Sequence, residues 1–195
     1  MPHLDVDDCV LVVIDAQPDL YGPTRTDVDP DPFEAASTRS AWVAGLATAL
    51  DVPVVLTEED ASLNGATAEG IRRAVRPDSP VLGKQVFGAN ANPDIDAAVR
   101  AHGRGTVVLV GLETDVCVAH SAIGWRENGL RSVVVHDAVY SAGQGHANGL
   151  TRLRWDGVEM LSAKEFYYEW LPDLPTVRAF NAKHPELVDP PGFSL

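Results

Sequence analysis

Between residues 9 and 161, apolar runs of strand length alternate with stretches of helical spacing, and most runs end on a polar or charged residue. The first run is Cys9-Val10-Leu11-Val12-Val13-Ile14, ending at Asp15. The others are Val52 to Thr57, Pro80 to Leu82 reaching Lys84, Thr106 to Val110, Arg131 to His136 ending at Asp137, and Val158 to Leu161. Between them, Phe33, Ala36, Ser40, Val43, Ala47 and Leu50 share one helical face, and shorter helical patterns cover 68–75, 93–103, 118–128 and 145–155. This alternation predicts a three-layer α/β/α fold: a six-stranded, mostly parallel sheet with crossover helices on both faces.

Local signals sharpen the boundaries. Asn92-Pro93-Asp94 combines a capping residue, a proline suited to the first helical position and an acid in the first turn. Ser162 and Glu165 have capping-box spacing, predicting a last helix over Ala163 to Leu171. The 195 residues suit one domain with a core over 8–171. The proline-rich tail 172–195 shows little periodicity and is expected to wrap the domain or a partner subunit.

In open parallel sheets, ligands bind beyond the carboxyl ends of the strands. Asp15, Lys84 and Cys117 all fall on that rim. Cys117 sits in Gly111-Leu112-Glu113-Thr114-Asp115-Val116-Cys117-Val118, where a buried strand turns into a helix. Unpaired N–H groups at a helix start favour an anion, so the thiol is expected to ionise more easily there. A lone cysteine in such a place is more often a packed core residue. Asp15 and Lys84 change that reading, because a thiol nucleophile needs a base and a cation beside it. The expected chemistry has Asp15 taking the thiol proton, Lys84 stabilising the ion pair and Cys117 attacking a carbonyl carbon. Amides of the 112–117 turn would hold the oxyanion, and water would hydrolyse the thioester. The reaction class is hydrolysis of a C–N bond in a small amide, carbamoyl or ureide compound. Gln17, Tyr21 and Phe87 lie near the rim and are expected to line the pocket. Thr114 and Asp115 are expected to cap the helix, Asp137 to hold structure, and Cys9, on the opposite rim, to pack.

Net charge is −13, which argues against nucleic acid or an anionic membrane surface as partner. No apolar run approaches the roughly 20 residues of a membrane span, and the first residues lack the basic start and apolar stretch of a signal peptide. With two cysteines, no disulfide framework is expected. A cytoplasmic protein acting on a small molecule follows. No metal-spaced Cys/His cluster and no nucleotide-binding glycine motif is present, so neither metal nor cofactor is expected.

The chain resembles the isochorismatase-like cysteine hydrolases, which include nicotinamidases, N-carbamoylsarcosine amidases and ureidoacrylate amidohydrolases. The likeness runs through about residues 8 to 165. It rests on Leu11-Val12-Val13-Ile14-Asp15-Ala16-Gln17, Gly83-Lys84-Gln85-Val86-Phe87 and Gly111 to Val118, and more weakly on Val135 to Ser141 with His146. The resemblance implies that Asp15, Lys84 and Cys117 are the catalytic triad. It also implies a cis Leu112–Glu113 peptide that aims the Glu113 and Cys117 amides at the oxyanion, and a homo-oligomer, dimer or tetramer. Nicotinamidases carry an Asp-x-His metal motif after the second strand. Here that stretch reads Thr57-Glu58-Glu59-Asp60-Ala61, and the six histidines are scattered. Two other classes stay open: a binding or scaffold protein of the same fold without turnover, and a hydrolase of an isochorismate-like vinyl ether.

Overall fold

The computed structural model describes residues 3–22 and 24–193. Its strands are β1 (Cys9–Ile14), β2 (Val54–Glu59), β3 (Val81–Lys84), β4 (Thr106–Leu112), β5 (Arg131–Tyr140) and β6 (Glu159–Leu161). They form one sheet in the order β3-β2-β1-β4-β5-β6, with every neighbouring pair parallel. The helices are α1 (Pro30–Ala49), α2 (Ala61–Asn64), α3 (Glu69–Ala74), α4 (Pro93–Arg100), α5 (Ala119–Glu127), α6 (Gly145–Trp155), α7 (Ala163–Trp170) and α8 (Leu174–Lys183).

The sheet is covered on both faces, which is why its strands read as continuous apolar runs. Side chains alternate along each strand. Leu11 and Val13 of β1 face a core built with Trp42, Val43 and Leu46 of α1, Ile71 of α3 and Phe166 and Trp170 of α7. Val10, Val12 and Ile14 face the opposite core, with Ile95 and Val99 of α4, Ala122 and Trp125 of α5 and Leu153 of α6. All six residues of β1 are fully buried. The Asn92 side chain accepts from the Asp94 and Ile95 amides at 3.0 and 3.3 Å, and the Ser162–Glu165 capping box is formed.

Several boundaries differ from the sequence expectation, each for a local reason. β2 starts at Val54, because Val52 still closes the end of α1 through its N–H to the Ala47 carbonyl. It then continues past Thr57, since Glu58 and Glu59 pair with Gly83 and Lys84 of β3. β4 runs on to Leu112 and β5 to Tyr140, because Gly111 and Leu112 pair with Val139 and Tyr140 beyond an irregularity in the register. The tail is not aperiodic. Asp173 caps α8 by accepting from the Thr176 N–H at 2.8 Å, and a proline occupies its first turn. The last segment returns to this chain's own α1, where Arg39 Nε donates to the Pro191 carbonyl at 3.2 Å.

Candidate active site

The strand order reverses between β1 and β4: the chain leaves β1 toward β2 and β3, and leaves β4 toward β5 and β6. Such a switch point opens a crevice at the carboxyl ends of the two strands. Asp15 is the first residue beyond β1, and Cys117 lies in a five-residue π turn, Thr114–Val118, between β4 and α5. Single π turns of this kind recur at functional sites. The Leu112–Glu113 peptide before it is cis, as the resemblance implied.

Lys84 ends the edge strand β3, and its side chain reaches past β2 to the crevice. Both Lys84 and Asp15 side chains are completely buried, with Nζ 2.6 Å from Asp15 Oδ2. The same ammonium donates to Cys117 Sγ at 3.3 Å. Asp15 is aimed by β2: Thr57 Oγ1 donates to Oδ1 at 2.7 Å, and the Asp15 amide donates to the Thr57 carbonyl and hydroxyl, each at 3.2 Å. Asp15 adopts φ +40°, a left-handed conformation that aspartate tolerates better than most residues. One buried ammonium thus touches both a carboxylate and a thiol.

The resting thiol is neutral. Burial and the Asp15 carboxylate push the Cys117 pKa up to about 12, against the opposing pull of Lys84. This corrects the expectation of an easily ionised thiol: desolvation and a carboxylate outweigh what the turn's amides and Lys84 contribute. For Lys84, burial disfavours the charged form, but the negative charge of Asp15 and the hydrogen bonds to Asp15 and Cys117 overcome it and raise the pKa. Titration of the thiolate's ultraviolet absorbance checks this balance. Asp15→Asn is expected to lower the Cys117 midpoint, and an unchanged or higher midpoint would contradict the account. Stability follows the same sign. The unfolded thiol loses its proton near 9 while the folded one holds it to about 12, so Cys117's contribution falls as pH rises through that window.

The family profile described as "Isochorismatase domain" matches residues 9–165. The chain belongs to the isochorismatase family. It is 28% identical over 194 residues to the probable hydrolase YcaC of Escherichia coli K12, covering 93% of this chain and 88% of that one. The solved E. coli YcaC, an octameric hydrolase of unknown specificity, superposes with a TM-score of 0.78 at 24% identity, over 96% and 93% of the two chains. YcaC from Pseudomonas aeruginosa, solved with hexane-2,5-diol and covalent acrylamide, gives 0.82 at 24% identity over 95% and 93%. A pyrazinamidase/nicotinamidase from Streptococcus mutans gives 0.66 at 22% identity, over 78% of this chain and 99% of that one. Isochorismatase-family membership makes this chain a hydrolase, on a fold shared with nicotinamidases.

Within this isochorismatase-family site, the expected pocket residues separate. Gln17 braces the backbone of residues 59–65. It is fully buried, and its amide donates to the Glu59 and Gly65 carbonyls at 3.1 and 2.6 Å and accepts from the Glu59 N–H at 2.8 Å. Tyr21 packs edge-on against Phe33 and Tyr140 and lies beside Glu113. Phe87 is 55% exposed, near the His120 ring. Burial raises the Glu113 carboxyl pKa, opposed by the Tyr21 hydroxyl and by Arg25, whose guanidinium is 3.7 Å away. Thr114 and Asp115 do not cap the helix: Thr114 Oγ1 meets His146 Nδ1 at 3.0 Å, and Asp115 accepts from the Ser141 hydroxyl at 2.7 Å. Asp137 is structural, accepting from the Ala163 N–H at 2.7 Å. Cys9 is buried, with Sγ 3.2 Å from the Asp5 carbonyl.

Sequence reading missed Glu59, whose Oε2 lies 4.0 Å from Cys117 Sγ. By composition it falls beyond the second apolar run, which ends at Thr57. Strand alternation carried the signal: Thr57 and Glu59 share one side of β2 and meet Asp15 and Cys117, while Glu58 points the other way and accepts from Thr67. The donor atoms of Asp15, Glu59 and Cys117 lie within 4.8 Å of one another. They suit a metal poorly. The group contains no histidine, and the Lys84 ammonium already occupies the contact with two of the three.

Proposed function

We propose that this hydrolase is a metal-independent cysteine amidohydrolase acting on a small amide, carbamoyl or ureide compound. The observation that carries the reading is the buried Lys84 ammonium, 2.6 Å from Asp15 and 3.3 Å from Cys117. In this mechanism Asp15 accepts the thiol proton as Sγ attacks the carbonyl carbon, and Lys84 stabilises the ion pair. A neutral resting thiol fits that sequence, because the proton leaves only when an electrophile takes up the electron pair. The Glu113 and Cys117 amides hold the oxyanion, a contribution of roughly 3 kcal/mol per donor. Asp15 returns its proton to the leaving nitrogen as the C–N bond breaks, and water then hydrolyses the thioester.

The covalent acrylamide on the P. aeruginosa relative supports a reactive site of this type. The octameric E. coli relative supports a homo-oligomer. Among the described residues, no helix is long and apolar enough to cross a membrane.

The test pairs two readouts over a panel of small primary amides, carbamoyl compounds and ureides. Ammonia release identifies a turned-over compound, and intact-mass analysis after an acid quench is expected to show its acyl group on the Cys117 peptide. Turnover without any acyl adduct under rapid quench would count against the thioester route.

A further inference from the structure

Half-buried Glu59 is the one member of the Asp15, Glu59 and Cys117 cluster without a part in the mechanism above. Its position is nevertheless tightly fixed. Gln17 holds both its N–H and its carbonyl, and Asn64 Nδ2 donates to the same carbonyl at 2.9 Å. Pairing of Glu59 with Lys84 in the β2–β3 register fixes the strand from the other side. The side chain then projects to 4.0 Å from Cys117 Sγ. Charge around the thiol does not balance. Lys84 is paired with Asp15, and the nearby Arg25 guanidinium is bound to Asp27 at 2.9 Å and faces Glu113 at 3.7 Å. Glu59 has no cation of its own among these contacts.

We propose that Glu59 is the specificity-determining residue of this site. Its carboxylate accepts N–H bonds from the nitrogen flanking the carbonyl under attack. It thereby selects neutral or cationic amides and ureides and rejects acyl groups that carry a carboxylate. An acyl carbon bonded to Sγ brings its own substituents within reach of Glu59 Oε2, so discrimination falls on the atoms next to the reacting bond. The inference rests on Cys117 as the nucleophile and adds the substrate's charge class.

Two alkylating reagents of similar size test it without knowledge of the substrate: neutral iodoacetamide and anionic iodoacetate. In both, Sγ forms a bond to the methylene carbon as the carbon–iodine bond breaks, iodide leaves, and the thiol proton passes to Asp15. The urea-unfolded chain supplies the intrinsic ratio of the two reagents. At low ionic strength, Cys117 of the folded protein is expected to disfavour iodoacetate by about tenfold beyond that ratio. Glu59→Gln, which keeps the shape and removes the charge, is expected to abolish most of the difference, and Glu59→Ala likewise. Melting curves identify which variant keeps the parent's fold, and either one decides. If Cys117 labels in the parent and variants with the same ratio of rates, Glu59 does not set specificity. If peptide mapping shows that neither reagent labels Cys117 in the folded parent, the nucleophile reading itself fails.

Discussion

Cys117→Ala is expected to abolish turnover of whichever amide or ureide the parent hydrolyses, by at least about a thousandfold in kcat. Loss of fold should not account for it. The side chain is small, and the π turn around it is held from the backbone, with the Val116 and Val118 amides donating to the Glu113 carbonyl at 3.2 and 3.0 Å. Cys117→Ser retains a side chain of similar size able to meet Lys84, yet is expected to be nearly as inactive, because a hydroxyl is a far weaker nucleophile in the same surroundings. Asp15→Asn removes the proton acceptor and should match them. Steady-state ammonia release from purified parent and variants, normalised to folded protein, is the measurement. Full activity of Cys117→Ala on a vinyl ether would instead establish the C–O hydrolase reading and overturn the amidohydrolase proposal.

Gly111→Ala is expected to be the most damaging single-methyl addition near the site, costing more than about 4 kcal/mol. Gly111 has φ +112°, where an L side chain is strained, and an added Cβ would lie 2.0 Å from the Ile14 carbonyl oxygen. That oxygen cannot simply retreat. Gly111 is paired with Ile14 of β1 on one side and Val139 of β5 on the other, and the residue after Ile14 is Asp15. Relief of the clash would spread the central strands or displace the carboxylate that faces Lys84. Chemical denaturation provides the check, with a melting temperature depressed by roughly 10 °C or more for a chain of this size. A change below about 1 kcal/mol would show that the β1–β4 junction yields far more easily than its packing implies.

Much of this was legible in the sequence because parallel strands buried on both faces leave unbroken β-branched runs. The position of each run's end locates the rim without side-chain detail. Asp15, Lys84 and Cys117 were found in that way, and the resemblance fixed the cis peptide between Leu112 and Glu113. What was lost concerned strand ends and environment. Glu58-Glu59 reads as a loop by composition, yet β3 pairs with it and keeps it extended. Gln17 reads as a rim residue, yet its amide matches the donors and acceptors of the 59–65 backbone. Helix-start reasoning counted a favourable field at Cys117 but not the desolvation and carboxylate that dominate there. The periodicity of α8 was masked by prolines before and within its first turn, although proline is compatible with that position.

Asp15, Glu59, Lys84 and Cys117 follow or end four different strands, β1, β2, β3 and β4, and no two of them are local in the chain. The site therefore reads out alignment. A one-residue slip of β3 against β2 would present Gly83 or Gln85 where Lys84 belongs and turn the ammonium to the other face. A nascent or misregistered chain then carries an ordinary, undirected thiol. The contact of Lys84 with Asp15 and Cys117 exists only when these strands are in register, so any chemistry it carries depends on the finished sheet.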